Sequence, residues 1–411
     1  MKILLSSFQC LPDRGSELGN GWHWARALAD CGHDVTVLTQ PSDIIRAAAP
    51  PDIKFLHVDA SEPPQHRFSS VFVTTKYYLR WQDAALRYVE TQMQQQYDVV
   101  HHVTWGSLRL GSRLWRLPVP LVYGPIGGGQ TAPSSYWRYF GRAWSVEMVR
   151  KASAGPLLKL NGRSRETMRN SAVTLVTNSA TAAACQRLGA ADVRYMLADG
   201  LPRDWLGGAR SRPAGTPVVL WVGSLLPHKA PTLSLQAFAE LRRAMPARLL
   251  VAGDGPLFGQ VRTMVERLGL TEDVQLLGRV PWKDMKSLYD SASVFLFNSL
   301  RDSSSSQFLE ALGRGLPTVA LDHHGIGDAD VGPAALKVAL PERPRDLPGR
   351  LASALQTILS DHEWESRSAA GVNWAAGHVW PAKAAAATQI YQEIVRSSPG
   401  TQGGKLAGSV G

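Results

Sequence analysis

The chain has 411 residues, of which 44% are hydrophobic and 19% are charged. This length and balance exclude a disordered or fibrous protein and predict a soluble globular one with room for two domains. The formal net charge of +10 indicates an acidic partner, which could be a phosphorylated substrate, a membrane surface or a nucleic acid.

The spacing of the cysteines and the hydropathy of the chain indicate the cellular compartment. Cys10, Cys31 and Cys185 have no paired spacing, so neither a disulfide framework nor a zinc site is indicated. The adjacent pair His323 and His324 suits metal ligation poorly, and we predict no metal. The apolar start is too short for a signal peptide, and no stretch approaches the roughly 20 apolar residues of a membrane span. We therefore expect a cytoplasmic protein.

The first elements in chain order are a strand at 2–7, a glycine-rich loop at 10–22, a helix at about 22–32 and a strand at 34–40. This order predicts a right-handed βαβ unit with its loop at the carboxyl edge of a parallel sheet, where ligands bind. Glycines in the loop would let backbone approach a ligand closely, although each could equally belong to a tight turn. The loop residues that we single out are Gly15, Ser16, Glu17 and Gly19.

Two more strands should end at the same edge. One ends in His101 and His102, shortly before Trp105, and the next runs into a turn with Gly128 and Gln130. Histidine there could donate a hydrogen bond or accept a proton, and alternation along the strand does not decide which ring points into the cleft. The turn could offer N–H groups to an acceptor or phosphate. The alternatives are a histidine bonded to backbone and a plain turn.

Residues 136–169 combine a net charge of +6 with interleaved aromatic side chains. Such a segment can dock on anionic lipid or on a negatively charged acceptor, which would place the protein peripherally at the inner membrane face. The alternative is a solvated helical face whose aromatic side chains are core. No nucleic-acid-binding module accompanies the charge, so we expect no nucleic-acid partner.

From residue 218 onward, apolar strands alternate with amphipathic helices, which predicts a second doubly wound parallel sheet facing the first across a cleft. The Gly-, Pro- and Arg-rich segment between the halves reads as a linker. The predicted divisions are a first domain at 1–198, a linker at 199–216, a second domain at 217–372, a terminal helix at 373–396 and a flexible tail at 397–411.

We place the active site in the stretch 298–328, which reads as a strand end, a polar turn, a helix and a strand. Asp302 or Ser303 is the predicted N-cap, and the serine-rich helix start suits a phosphate. Glu310 follows Asp302 by eight residues, a helical rise of about 12 Å, so carboxylates could meet hydroxyls at both ends of a nucleotide sugar. The alternative is a capped helix with a solvated glutamate.

This stretch resembles the motif of family 4 glycosyltransferases with the GT-B fold, in which two glutamates lie eight residues apart. Glu310 matches the second, which binds the nucleotide ribose in that family. Asp302 stands in place of the first, which contacts the donor sugar, and it keeps the charge while shortening the reach by one methylene. The resemblance implies a retaining transfer of a sugar from a nucleotide-diphosphate sugar, with no obligatory metal or other cofactor.

The resemblance also implies roles elsewhere. Lys229 matches the lysine that neutralises the donor pyrophosphate, whereas Ser224 stands where many relatives have an arginine, so a cation is missing unless His228 or an arginine replaces it. The family places a histidine at the strand end of His101 and His102, against the donor sugar or acceptor. The implied catalytic residues are His101, His102, Lys229, Asp302 and Glu310; donor contacts are Gly15, Ser16, Gly19, Ser224, Lys229, Gly253, Arg279, Val280, Ser304, Ser305, Ser306, Gln307 and Glu310; acceptor-side residues are Glu17, Trp105, Gly128 and Gln130.

The resemblance therefore implies an α/β protein of the GT-B fold, with two Rossmann-like domains facing across a cleft. The donor base stays open among UDP-, GDP- and dTDP-sugars, and so does the acceptor, a small molecule or a secondary-metabolite or envelope precursor. Two alternatives remain. One is a nucleotide-sugar epimerase or hydrolase on the same fold, and the other is a degenerate GT-B subunit that binds without catalysis, which Asp302 and Ser224 keep open.

Overall fold

The computed structural model describes residues 1–12, 14–60, 71–92, 96–303, 305–360 and 362–397. The predicted donor contact of Ser304 lies outside the described residues, as does the predicted flexible tail from residue 398 onward.

The first half of the chain forms a sheet of seven parallel strands: β1 (Lys2–Ser7), β2 (Asp34–Thr39), β3 (Ile53–His57), β4 (Val99–Thr104), β5 (Leu121–Ile126), β6 (Val173–Val176) and β7 (Val193–Tyr195). Their spatial order is β3-β2-β1-β4-β5-β6-β7. Every residue of β4 and β5 is buried, as expected for central parallel strands covered by helices on both faces.

The second half forms a sheet of six parallel strands: β8 (Val218–Val222), β9 (Arg248–Ala252), β10 (Val274–Gly278), β11 (Val294–Phe297), β12 (Thr318–Leu321) and β13 (Ala335–Val338). Their order is β10-β9-β8-β11-β12-β13. In both sheets the order reverses beside the first strand, and the crevice at such a switch point is where doubly wound folds bind ligands. Two doubly wound parallel sheets confirm the predicted fold class.

Fourteen α-helices within the described residues cover the sheets: α1 (Ser16–Asp30), α2 (Asp43–Ala48), α3 (Val71–Gln92), α4 (Trp144–Ala154), α5 (Gly162–Asn170), α6 (Ser179–Arg187), α7 (Pro231–Ala244), α8 (Phe258–Arg267), α9 (Met285–Ser291), α10 (Ser306–Gly313), α11 (His324–Asp328), α12 (Leu347–Ser360), α13 (Trp364–Ala376) and α14 (Trp380–Ser397). Short 3₁₀ helices occupy several loops, among them Pro156–Leu160, Arg203–Trp205, Pro227–Lys229 and Trp282–Asp284.

Helix α14 packs against α1 on one face of the first sheet. Trp380 and Tyr391 of α14 are buried in the same apolar cluster as Trp24 of α1. The end of the chain therefore contributes to the core of the first half, and its residues reach the base of the cleft.

The glycine-rich loop predicted at 10–22 is largely helical, because α1 begins at Ser16 rather than near residue 22. A Cβ on Gly19 would lie 1.8 Å from the Arg14 carbonyl oxygen, and one on Gly21 would lie 1.7 Å from the Ser7 Oγ. These two glycines permit close packing of α1 against neighbouring backbone and side chains. Gly19 lines neither of the two cavities described below, and its donor contact stays a prediction.

The basic and aromatic segment at 136–169 divides between core and surface. Tyr136 and Phe140 are buried in the apolar cluster of the second half, and the Tyr139 hydroxyl donates to Gln236 Oε1 at 2.9 Å. Part of the aromatic content is therefore explained by packing between the two halves. Apart from the half-exposed Trp137, the large exposed apolar side chains of this segment lie between α4 and the end of the 3₁₀ helix Pro156–Leu160.

Candidate active site

A cavity of about 320 Å³ lies between the two halves at the carboxyl edges of their sheets. The side chains that could contact a substrate come from both halves. Ser16, Glu17 and Asp199 line it from the first half, and Ser224, Lys229, Asp302, Ser303, Ser305, Ser306 and Gln307 line it from the second.

The start of α10 opens onto this cavity. The N-cap is Ser305, not Asp302 or Ser303 as predicted, because Ser305 has extended backbone and the helical conformation begins at Ser306. The Ser305 hydroxyl donates to Gln307 Oε1 at 2.8 Å, and no side chain caps the first N–H groups of the helix. Those N–H groups and the helix dipole therefore favour an anion in the cavity.

Lys229 is held at the opposite wall by a fixed loop. Its 3₁₀ helix ends at Ala230, whose φ of +48° lies in the left-handed region that residues with a Cβ rarely adopt. Asn298, at the end of β11, donates to the Ala230 carbonyl at 3.0 Å and accepts from Trp221 Nε1 at 2.9 Å. Asn298 is fully buried, so it fixes the loop that carries the lysine.

The Lys229 ammonium forms an ion pair with Asp302, and the two side chains are 18% and 16% exposed. A second cation is not provided by His228, because burial and the neighbouring Arg301 lower the pKa of that histidine to about 3. Arg301 itself is paired with Glu147 at 3.0 Å. Among the described residues Lys229 is therefore the cation that lines this cavity, and an anion there would compete with Asp302 for it.

Glu310 lies one turn into α10 and faces a second cavity of only about 10 Å³, the space of one water molecule, which shares Ser16 and Ser306 with the first. Its carboxylate accepts hydrogen bonds from Trp282 Nε1 at 3.0 Å and from the Tyr289 hydroxyl at 2.8 Å. Burial raises the pKa of Glu310 to about 7, against the two hydrogen bonds, which lower it. Each carboxylate oxygen can accept a further hydrogen bond, so Glu310 retains the capacity to bind hydroxyls.

The second cavity is walled by aromatic side chains from both halves. Trp282 stacks on Trp205 with ring centroids 4.7 Å apart, and a Cβ on Gly15 would lie only 3.0 Å from the Trp282 indole nitrogen. His23 and Trp380 close the other side. Gly15 therefore lines this cavity, as predicted, at a point where a larger side chain would meet the indole.

Glu17 faces the first cavity from the opening turn of α1, following Ser16, whose φ is +54°. Glu17 is exposed to solvent, and the protein atoms near its carboxyl group, with the nearby charge of Asp199, raise its pKa. The shift of Glu17 is towards the protonated form, in which a carboxyl group can both donate and accept hydrogen bonds.

The structure corrects the prediction for the two strand-end histidines, which line neither cavity. His101 Nε2 contacts the Gly124 carbonyl oxygen at 2.8 Å, and its Nδ1 contacts the Tyr391 hydroxyl at 2.6 Å. His102 is enclosed in the same way, with the Tyr78 hydroxyl 2.9 Å from its Nε2. Burial lowers the pKa of His101 to about 4 and that of His102 to about 3, so both rings are neutral.

We expect His101→Ala to lower the free energy of unfolding by about 1–3 kcal/mol or more, because it leaves a buried carbonyl and a buried tyrosine hydroxyl unpaired. Urea unfolding would measure this, with the half-buried His57→Ala as control. An unchanged unfolding midpoint together with a large loss of turnover would contradict the structural role.

Other predicted contacts are displaced for local reasons. The N–H of Gly128 donates to Gln130 Oε1 at 2.8 Å, so this turn satisfies its own donor and does not present it to a substrate. The Trp105 indole donates to Gln9 at 3.1 Å within an aromatic cluster. Gly253, Arg279 and Val280 also lie outside both cavities, although Gly253 packs directly against the backbone of Gly223, which lines the first.

Several residues of the site were missed by the sequence analysis. Asp199 lines the first cavity, Asn298 fixes the Lys229 loop, and Trp282 and Tyr289 hold Glu310. None has a spacing motif, but Asn298 could have been noted as a polar residue at the end of an apolar strand. No group of three His, Cys, Asp or Glu residues within the described ranges could hold a metal ion.

Each half of the chain matches a family of known proteins. Residues 209–367 match the family described as Glycosyl transferases group 1, and residues 22–198 match the Glycosyl transferase 4-like domain. A D-inositol 3-phosphate glycosyltransferase of Frankia alni is 34% identical over 190 residues, which cover 43% of this chain and 46% of that one. The chain thus spans about half the length of the curated relatives it matches.

Solved structures resemble the whole fold. Sucrose-phosphate synthase from Thermosynechococcus elongatus superposes with a TM-score of 0.70 at 18% identity, covering 97% of this chain and 100% of the other. Anabaena HepE in complex with UDP gives a TM-score of 0.60 at 14% identity, covering 97% and 100%. With two facing parallel sheets and matches to both glycosyltransferase domains, the chain belongs to the family 4 glycosyltransferases of the GT-B fold.

Proposed function

We propose that this protein is a retaining glycosyltransferase that moves a sugar from a nucleotide-diphosphate sugar to an acceptor hydroxyl or similar nucleophile. The observation that carries the proposal is the joint placement of Lys229 and the uncapped start of α10 on one cavity, with Glu310 on the adjoining one. The cleft therefore offers a cation and helix N–H groups to the pyrophosphate and, beside them, a carboxylate to the ribose.

In this arrangement the pyrophosphate lies at Ser305 and Ser306, within reach of the Lys229 ammonium. The ribose binds Glu310, which requires the water-sized second cavity to widen as the donor enters, and the sugar occupies the first cavity beside Asp302. When the bond between the anomeric carbon and the phosphate oxygen breaks, negative charge builds on the departing phosphate. Lys229 and the helix N–H groups are positioned to stabilise it.

The test is thermal stabilisation by a panel of UDP-, GDP-, ADP- and dTDP-sugars, followed by turnover of the best donor with and without candidate acceptors. Stabilisation by one nucleotide class, with transfer to an acceptor and retained configuration, would establish the proposal and name the base. Turnover of the donor without any acceptor would favour an epimerase or hydrolase. No stabilisation by any nucleotide would favour a degenerate binding subunit.

We also propose that α4 and the following 3₁₀ helix contact an anionic membrane surface, from which a lipid-linked acceptor could be presented. Val146, Val149 and Leu160 are 68%, 70% and 80% exposed. The exposed Lys151 and Lys159 lie among them, so apolar and basic groups share this ridge. None of the described helices has the length and apolar character needed to cross a bilayer.

We expect the protein to co-sediment with phosphatidylglycerol vesicles at low salt and to be released at high salt, because the attraction to the surface is screened. The double variant Val149→Glu/Leu160→Glu should lose binding, since it puts carboxylates on the contact ridge. Ile44→Glu, at a 58% exposed site on α2, is the matched control. Wild-type protein that stays in the supernatant would rule the contact out.

A further inference from the structure

Beneath the first cavity lies a buried polar network that the proposed reaction does not yet use. Asp199, between β7 and the 3₁₀ helix Arg203–Trp205, is 8% exposed and lines the cavity. Its Oδ1 accepts a hydrogen bond from Asn20 Nδ2 at 3.0 Å, and Asn20 is itself 5% exposed. No donor among the described residues contacts its other oxygen, Oδ2.

The backbone around Asp199 is fixed on both sides by the end of the chain. The fully buried Lys383 of α14 donates to the Leu197 carbonyl. On the other side, the Leu201 N–H donates to the His378 carbonyl at 3.1 Å, and the Trp380 N–H donates to the Leu201 carbonyl at 3.0 Å. The carboxyl group of Asp199 is therefore held in place before any substrate arrives, which is what substrate recognition requires.

Burying the Asp199 carboxyl group costs free energy because its charged form loses hydration. Burial raises the pKa of Asp199, the charge of Asp302 adds to this effect, and Asn20 and Lys383 oppose it. Burial likewise lowers the pKa of Lys383 to about 7. A carboxyl group that served packing alone would not be expected to face a cavity with an oxygen that no protein donor satisfies.

We propose that Asp199 is a sugar-contacting residue, whose Oδ2 accepts a hydrogen bond from a hydroxyl of the transferred sugar on the side opposite Asp302. The inference rests on the proposed function. Two carboxylates from the two halves of the protein, Asp199 and Asp302, then hold the sugar between them, while Lys229 and α10 hold its phosphate. Asn20 acts as a positioning residue that orients Asp199.

The test compares binding of each nucleotide sugar with that of its nucleotide diphosphate by calorimetry, for UDP-glucose and UDP, GDP-mannose and GDP, ADP-glucose and ADP, and dTDP-glucose and dTDP. Asp199→Asn preserves the shape and the bond from Asn20 but turns the free acceptor into a donor. It should weaken binding of the nucleotide sugar about 10- to 150-fold while leaving binding of the nucleotide diphosphate unchanged. Asp192→Asn, at a surface aspartate paired with Arg194, is the control.

Equal affinities of Asp199→Asn and wild type for the nucleotide sugar would overturn the inference, and so would an equal loss for sugar and diphosphate. If Asp199→Asn does not fold, Asn20→Ala should show the same sugar-selective loss in smaller measure, and its absence would overturn the inference as well. Failure of the wild type to bind any pair would instead refute the proposed function.

Discussion

Replacing Lys229 by methionine should lower kcat/KM for the donor about 100- to 1000-fold. The reason is that the variant keeps an unbranched side chain but removes the ammonium, which lies over Phe297 and is the one cation that lines the cavity among the described residues. The charge that develops on the departing phosphate would then be stabilised only by the N–H groups of α10. Steady-state kinetics with the donor that the panel identifies would measure the effect.

Lys286 offers a matched control for this variant. Its ammonium pairs with Asp204 and lies over the Trp205 ring at 5.5 Å, just as Lys229 pairs with Asp302 and lies over Phe297 at 5.6 Å. Lys286 lines neither cavity, so Lys286→Met should leave turnover near that of the wild type. Lys229→Arg should recover part of the activity because it restores the charge. Equal kinetics of Lys229→Met and Lys286→Met would refute the assignment.

The exchange of partners at Lys229 adds a second expectation to the mechanism. In the proposed arrangement a phosphate approaches the Lys229 ammonium that Asp302 holds, so we expect donor binding to separate this ion pair. The freed Asp302 carboxylate is then available for a sugar hydroxyl. Asp302, although shorter than the glutamate of the family motif, can therefore pair with Lys229 before the donor binds and contact the sugar afterwards.

Much of the fold and several of the cavity-lining positions followed from the sequence because they depend on local patterns. Apolar strands alternating with amphipathic helices dictate two doubly wound sheets, and the lysine, serine and glutamate positions lie next to strand ends that must meet at one edge. Lys229, Asp302 and Ser306 accordingly line one cavity, with Glu310 beside it.

The errors arose where side-chain direction or distant packing decides. Successive residues of a strand point to opposite faces, but β4 is covered on both, so neither His101 nor His102 could reach the cleft. Glycine is common both in ligand-binding loops and where helices pack closely, so the sequence alone did not show that Gly19 and Gly21 lie within α1. Asp199 depends on contacts with Asn20, 179 residues away, and with the end of the chain, which no local pattern records.

Replacing Glu310 by glutamine should weaken donor binding about 10- to 150-fold, because a neutral amide replaces the charged acceptor of the ribose hydroxyls. Glutamine keeps the shape and can still accept one hydrogen bond, so Trp282 and Tyr289 are not both left unpaired. Calorimetric titration with the donor and with its nucleoside diphosphate should show the same loss, since both carry the ribose. A loss confined to the sugar form would contradict the ribose assignment.

The pKa of Glu310 makes the same assignment testable by pH. Its raised value of about 7 means that the carboxyl group is protonated below neutral pH, so donor affinity should fall as the pH falls through about 7. The pKa of Glu17 is raised and that of Lys383 is lowered to about 7, and both residues remain in Glu310→Gln. The difference between wild type and Glu310→Gln therefore isolates Glu310. The two affinities should converge at low pH and separate above neutrality, and parallel profiles would show that Glu310 does not bind the donor in its ionised form.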